Sequence, residues 1–154
     1  MDTGKNVLVS RLLVVHHTPS PNLQTVLEAV KEGAAMVEEV DLVLRPALSA
    51  GAADLLEADG VLLGTTANIG YMSGALKHFF DTVYYPCHDA TAGLPFGVYV
   101  HGGDDTAGAL RSIERITTAL RWKQAAAPLS LTGPPGPDDL EAVRELAATV
   151  AVSL

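Results

Sequence analysis

Apolar residues recur along the chain in two spacings that alternate with each other. Short apolar runs, most of them rich in Val and Leu, are typical of strands buried on both faces. They are Leu12 to Val15, Val40 to Leu44, Val61 to Leu63, Phe96 to Val100 and Pro128 to Leu131. Between these runs, apolar residues fall three and four positions apart, as on one face of a helix. This spacing is clearest from Leu23 to Val37 and from Leu110 to Leu120.

Two further helices are predicted from the residues at their starts. Ser73 is a good helix cap, and after it Leu76, Phe79, Phe80 and Val83 lie at positions i, i+3, i+4 and i+7. The last helix begins near Pro137 or Asp138, because Pro is favourable at the first helical position and Asp in the first turn. A short helix over Ala53 to Glu57 precedes the third strand.

Strict alternation of strands and helices predicts parallel strands joined by right-handed crossovers, with helices on both faces of the sheet. We therefore expect an α/β fold: a three-layer α/β/α, doubly wound, parallel five-stranded sheet in the flavodoxin-like order 2-1-3-4-5. Residues 1–10 are predicted to be a flexible lead-in or the start of the first strand, and residues 11–154 to form one domain.

The strand order predicts a ligand site at the carboxyl edge of the sheet, where the loops after strands 1 and 3 lie side by side. The loops concerned are His16 to Asn22, Thr65 to Met72 and His101 to Thr106. In the first, an anion could use the start of the following helix, with Thr18, Ser20 and Asn22 adding polar groups. Alternatively, Ser20 or Asn22 is simply a helix cap. The G-x-G-x-x-G and G-x-x-x-x-G-K-[ST] fingerprints are absent.

The second and third loops contain small residues that let the backbone approach a bound molecule. The second carries one ring, Tyr71, and its alternative interpretation is a plain strand-to-helix turn. In the third, Gly102 and Gly103 permit close approach, while Asp104, Asp105 or Thr106 caps the next helix. His101 is either a hydrogen-bonding or proton-donating group at the site or a structural histidine.

Composition narrows the functional classes. The 154 residues are 48% hydrophobic and 18% charged, as in globular domains. A net charge of −8 disfavours nucleic acid as a partner, since phosphates must be neutralised by Lys and Arg. No apolar run is long enough to cross a bilayer, and the first residues make a poor signal peptide. We expect a cytoplasmic protein with no membrane partner.

Other candidate groups lack the partners that their chemistry needs. The single cysteine, Cys87, stands beside His88, but no zinc-binding spacing accompanies them. His16 and His17 are adjacent and face opposite sides of an extended chain, so no metal site is predicted. An aromatic rim is formed by Tyr84, Tyr85 and Pro86. Three roles are open for it: to cover a planar substrate, to pack across a dimer interface, or to belong to the core.

Two segments resemble a known family. T-P-S-P-N-L at Thr18 to Leu23 is similar to the flavodoxin phosphate loop S-x-T-G-N-T, with Pro21 in place of Gly. GTTANIGYMSGALKHFFD is similar to the pattern of WrbA-type proteins, in which G-[ST]-P is followed by a loop, an L-K or M-K helix and F-x-D. The chain thus resembles the flavodoxin-like superfamily, particularly NAD(P)H-dependent FMN reductases and WrbA-type quinone reductases.

The resemblance implies an FMN cofactor and a set of residues that bind it. The first loop would hold the phosphate, the second would border the isoalloxazine ring and the third would flank its other side. The implied binding residues are Thr18, Ser20, Asn22, Leu23, Thr66, Ala67, Asn68, Ile69, Gly70, Tyr71, Met72, His101, Gly102, Gly103 and Asp104. His101 is the one candidate catalytic side chain, because the flavin itself carries the chemistry.

The same resemblance implies an FMN-dependent oxidoreductase that passes a hydride from NAD(P)H through flavin N5 to a quinone, a free flavin or another small planar acceptor. It also implies a homodimer or higher homo-oligomer. One alternative is a flavodoxin-type electron carrier that docks on protein partners. Another is a flavodoxin-fold protein that has lost flavin binding, because Pro19 and Pro21 have no N–H to offer a phosphate.

Overall fold

The computed structural model describes residues 8–154, and residues 1–7 of the expected lead-in lie outside that range. The strands are β1 (Ser10–His16), β2 (Val40–Pro46), β3 (Gly60–Asn68), β4 (Tyr71–Met72), β5 (Pro95–Gly102), β6 (Lys123–Gln124) and β7 (Leu129–Thr132). The helices are α1 (Pro21–Ala35), α2 (Ala52–Leu56), α3 (Gly74–Cys87), α4 (Ala107–Ala119) and α5 (Pro137–Val152). Within this described part, none of the helices has both the length and the apolar character needed to cross a membrane.

The sheet order is β2-β1-β3-β5-β6, and β7 also pairs with β5. The pairs β1–β2, β1–β3, β3–β5, β5–β6 and β5–β7 are all parallel. The predicted doubly wound arrangement and its order 2-1-3-4-5 are confirmed, with the fifth position shared by β6 and β7.

The fifth position is split because the chain carries extra residues there. Phe96 pairs with Gln124 and Tyr99 with Leu129, so residues 125–128 stand opposite residues 97 and 98 alone. Pro128 has no N–H to give to a ladder, and the second piece begins one residue after it. The prediction of a strand starting at Pro128 is corrected accordingly.

Alternation along the strands divides the core into two layers. Leu13, Val15 and Leu63 face α2, α3 and α4 in one buried cluster. Leu12, Val14 and Leu62 face α1 and α5 in the other. In β1 and β3, even-numbered residues therefore face α1 and α5, and odd-numbered residues face the other side of the sheet. We call the first of these sides the α1/α5 face.

The prediction of a loop over Thr65 to Met72 was wrong. β3 continues to Asn68 and pairs antiparallel with β4, matching Ala67 to Met72 and Asn68 to Tyr71. Ile69 and Gly70 form the turn, with φ of 50° and 73°. A two-residue hairpin turn with both φ positive suits the twist of the strands it joins. The segment is therefore a hairpin rather than a loop.

Candidate functional site

Three connections meet at the carboxyl edge of the sheet: the β1–α1 loop, the β3–β4 hairpin and the β5–α4 loop. His16, the last residue of β1, pairs with Gly64, and Thr66 pairs with His101. The N–H of His17 donates to the carbonyl oxygen of Gly64 at 2.9 Å, which ties the start of the first loop to β3. The structure thus brings the three predicted segments to one edge.

The β1–α1 loop ends in a capped helix. Ser20 is the N-cap of α1, and its Oγ accepts a hydrogen bond from the N–H of Leu23 at 3.3 Å. Pro21 fills the first helical position, where no N–H is needed. The N–H of Asn22 is among those that an α-helix leaves without an internal partner. The interpretation of Ser20 as a cap agrees with this geometry.

His16 sits at the root of this loop in the neutral form. Its Nδ1 lies 2.8 Å from Oγ1 of Thr18. Burial, and secondarily the neighbouring His17, lower the pKa of His16 below its usual range. Since His16 to Gln24 contains no Lys or Arg, any attraction for an anion at neutral pH comes from the N–H groups and dipole of α1.

The tip of the β3–β4 hairpin is exposed and strained. Ile69 has a relative exposure of 106% while its φ is 50°. A β-branched residue rarely adopts a left-handed conformation, and an apolar side chain gains nothing from water. Asn68, Gly70 and Tyr71 beside it are also exposed. An apolar, strained and accessible tip of this kind is typical of a ligand contact.

The base of the hairpin is held by a buried hydroxyl pair. Oγ1 of Thr65 accepts a hydrogen bond from the N–H of Ser73 at 3.1 Å and lies 2.9 Å from its Oγ. Oγ of Ser73 in turn accepts from the N–H of Leu76 at 3.2 Å and so caps α3. These contacts fix β3 at Thr65 to the start of α3, and the predicted Ser73 cap is confirmed.

Two of the predicted binding residues have side chains that are buried in the core. Leu23 is fully buried among α1 and α5 residues. Met72 is buried on the opposite face, and its N–H donates to Oγ of Ser112 at 3.2 Å. Neither residue presents a free group to the edge, so we leave both out of the proposed binding surface.

The β5–α4 loop is shaped by its aspartates and by His101. The carboxylate of Asp105 accepts from the N–H of Ala107 at 2.9 Å, whereas the N-cap residue Thr106 makes no capping bond with its side chain. Nε2 of His101 lies 2.7 Å from the carbonyl oxygen of Gly133 and ties β5 to the loop before α5. This matches the structural interpretation of His101. Gly103 and Asp104 are exposed.

Two buried hydroxyls near this edge have no hydrogen-bond partner within residues 8–154: Oγ1 of Thr66 and Oη of Tyr99. Sequence reasoning included Thr66 among the candidates and missed Tyr99, which reads as one more aromatic residue in a buried strand. No local pattern marks it, because only the strand register places it beside Gly64.

The environment of Cys87 disfavours reaction at its thiol. Cys87 is fully buried, its Sγ lies 3.9 Å from the carbonyl oxygen of Ala52, and burial raises the pKa of the thiol. A buried thiol with a raised pKa forms little thiolate, which is the reactive species. Across residues 8–154, no three His, Cys, Asp or Glu side chains gather into a group able to hold a metal ion.

The same architecture occurs in solved structures. A flavodoxin from the domain Archaea superimposes with a TM-score of 0.80 at 18% identity, covering 93% of this chain and 97% of its own. The chain has the flavodoxin-like fold. The flavodoxin, WrbA-like protein from Agrobacterium tumefaciens superimposes with a TM-score of 0.75 at 20% identity, covering 94% of this chain and 96% of its own. An NADH:FMN oxidoreductase (EmoB) superimposes with a TM-score of 0.77 at 14% identity, covering 95% of this chain and 90% of its own.

Sequence comparison supports the resemblance to the flavodoxin-like superfamily. The flavodoxin of Aquifex aeolicus (strain VF5) is 35% identical over 75 residues, which is 49% of this chain and 40% of that flavodoxin. The match therefore spans about two fifths of the length of this curated relative. No protein-family model matches the chain.

Proposed function

We propose that the protein is an FMN-dependent oxidoreductase that passes a hydride from NAD(P)H to a quinone, a free flavin or another small planar acceptor. The observation that carries this proposal is the exposed, strained hairpin tip at Ile69, which lies at the same sheet edge as the start of α1. The flavodoxin-like fold and the curated flavodoxin relative support it.

The donor groups at this edge fit a flavin phosphate. Thr18, Ser20 and the N–H of Asn22 stand at the positive end of α1, where anions are stabilised. Thr66 adds a buried hydroxyl that has no hydrogen-bond partner in the described part of the chain. These groups compensate for Pro19 and Pro21, which have no N–H to donate.

The ring end of the cofactor fits the hairpin and the facing loop. Asn68 to Tyr71 is exposed and carries two apolar side chains, and Gly103 and Asp104 in the β5–α4 loop are exposed as well. Bound FMN supplies hydride transfer, and the protein supplies position and electrostatics. The roles left to this chain are to orient the ring against the hairpin and to exclude water with Ile69 and Tyr71.

The nearby side chains are not arranged for acid–base catalysis. His16 is neutral beside Thr18, and Nε2 of His101 is engaged by the Gly133 carbonyl. We therefore propose that His101 positions the loop before α5 and takes no part in proton transfer. A cofactor-based mechanism needs no convergent acid and base, which agrees with this arrangement.

We further propose that the protein acts in the cytoplasm as a homodimer or higher homo-oligomer. Tyr85 is 84% exposed on α3, and Tyr84 packs edge-on against it at 5.2 Å between ring centroids. Exposed aromatic patches of this kind often lie in protein contacts. Light scattering on the purified protein and on Tyr85→Glu tests this: a monomeric wild-type protein contradicts it.

Incubation with FMN, followed by visible absorption and fluorescence titration, tests the cofactor. We expect saturable quenching of flavin fluorescence. Steady-state oxidation of NADH or NADPH with a quinone then tests the reaction. Tight FMN binding without turnover would identify an electron carrier instead. If no flavin binds, both the oxidoreductase and the electron carrier are excluded, and the protein has the fold without the cofactor.

A further inference from the structure

A cavity of about 160 Å³ lies between α4 and the interrupted fifth position of the sheet. Gln124, the last residue of β6, and Pro128, just before β7, both line it. Residues 125–128, which separate these two short strands, stand opposite Gly97 and Val98 of β5. Val98 lines the cavity as well. The cavity therefore lies where the edge of the sheet is broken.

Two aromatic rings form one wall of the cavity. Phe96 and Trp122 both line it, with ring centroids 6.0 Å apart and planes tilted by 54°. The indole Nε1 of Trp122 donates to Oγ1 of Thr91 at 2.9 Å, which holds the ring in one orientation. Val98 and Ile113, both buried, supply aliphatic surface. Because an apolar cavity of about 150 Å³ is large enough to bind benzene, this one has room for a single six-membered ring.

The cavity is separate from the sheet edge that we propose for flavin. Phe96 and Val98 precede Gly102, the last residue of β5, by six and four positions, which corresponds to about 13–20 Å along a strand. Their side chains belong to the core cluster on the side opposite the α1/α5 face. A ligand in this cavity therefore leaves the carboxyl edge of the sheet unoccupied.

The exposed part of the lining is polar and carries one charge. Thr118 and Gln124 are exposed, and Glu114 is the one charged side chain among the described residues that line the cavity. Within residues 8–154, the Glu114 carboxylate takes part in no hydrogen bond or ion pair, and only its main-chain oxygen accepts from Oγ1 of Thr117, at 3.2 Å. An aromatic wall and an unpaired carboxylate in one cavity favour a ligand that has a ring and a cationic group.

We propose that this cavity binds a small aromatic amine, with its ring against Phe96 and Trp122 and its ammonium group at the carboxylate of Glu114. A ring between apolar side chains is removed from water, and a cation is attracted both by the carboxylate and by the π face of an indole. The net charge of −8 also favours cations over anions near the protein. This binding site does not depend on the proposed function.

Trp122 reports binding directly, because it is the one tryptophan in the sequence. We expect benzylamine to change its fluorescence saturably. Benzyl alcohol, which has the same ring but no charge, should bind about 3- to 5-fold more weakly, since a partly exposed ion pair contributes little. Glu114→Gln should remove this difference between the two ligands. Glu145→Gln, at an exposed position on α5, is the matched control and should keep it.

Leu110→Phe tests the cavity itself. Leu110 lines the cavity, and a larger side chain there should abolish saturable binding of both ligands. If Leu110→Phe does not fold, Glu114→Gln decides alone, because Glu114 is exposed and its carboxylate makes no contact that the fold needs.

The dissociation constant of benzylamine should be the same with and without FMN. Competition between the two would place the amine at the flavin edge and overturn the proposal. An unchanged Trp122 fluorescence in the wild type, or a preference for the amine that survives in Glu114→Gln, would overturn it as well. A protein that binds benzylamine but no flavin would contradict only the proposed function.

Discussion

The backbone of Gly70, at the turn of the β3–β4 hairpin, rests directly on Gly108 in the first turn of α4. A Cβ on Gly108 would fall 2.1 Å from the carbonyl oxygen of Gly70 and 2.8 Å from its carbonyl carbon. Real Cβ atoms do not approach backbone so closely, so the contact requires glycine. The position of the exposed tip is therefore set by α4, nearly forty residues further along the chain.

Gly108→Ala should displace the hairpin. We expect unfolding free energy to fall by about 1–3 kcal/mol, as for overpacking, and FMN binding to weaken about 10-fold as the tip moves. Gly74→Ala is the matched control, because nothing lies within 4 Å of a Cβ there. Urea unfolding and flavin titration measure both effects. Equal behaviour of the two variants would show that the hairpin does not depend on this contact.

Ser73→Ala should cost more stability than Ser20→Ala, although both residues cap helices. Ser73 caps α3 and also contacts Thr65 in a fully buried position, whereas Ser20 caps α1 at a partly exposed one. We expect losses of about 2–3 kcal/mol for Ser73→Ala and about 1 kcal/mol for Ser20→Ala. Equilibrium urea unfolding measures the difference, and similar losses would contradict the role given to the Thr65 contact.

His16 should make the fold less stable in acid. Its pKa is lowered in the folded protein by burial and then by His17, while the unfolded chain takes up the proton near pH 6.5. The unfolded state therefore binds more protons as the pH falls through 6.5, and the unfolding free energy decreases until the folded pKa is passed. Unfolding in urea at pH 7.5, 6.5 and 5.5 measures this trend.

The control for the histidine prediction is a second histidine. His16→Gln should reduce the loss of stability between pH 7.5 and 5.5, whereas His78→Gln, at an exposed position on α3, should leave it unchanged. If His16→Gln keeps the full pH dependence of the wild type, another group is responsible.

Cys87 should resist thiol reagents in the folded protein. The side chain is fully buried and burial raises its pKa, so little thiolate is present and none of it is accessible. We expect negligible reaction with a chromogenic disulfide reagent until urea is added, and unchanged FMN binding after treatment with iodoacetamide. Rapid modification of the native protein would contradict the buried position.

The sequence by itself determined the layered architecture of this protein. Leu12 to Val15 is buried on both faces, and α3 and α5 start at Ser73 and Pro137. Apolar runs and helix-starting residues are local features, so the sequence shows them directly. Alternation of these elements was enough for the strand order and for the edge where the three connections meet.

Only the tertiary structure decided what those connections are. Thr65 to Met72 has the small residues of a loop, yet it forms a hairpin because Met72 enters the core and Gly108 leaves room for Gly70. Tyr99 meets Gly64 through strand register alone. Contacts between residues far apart in the chain depend on how strands and helices pack, and local spacing does not encode that packing.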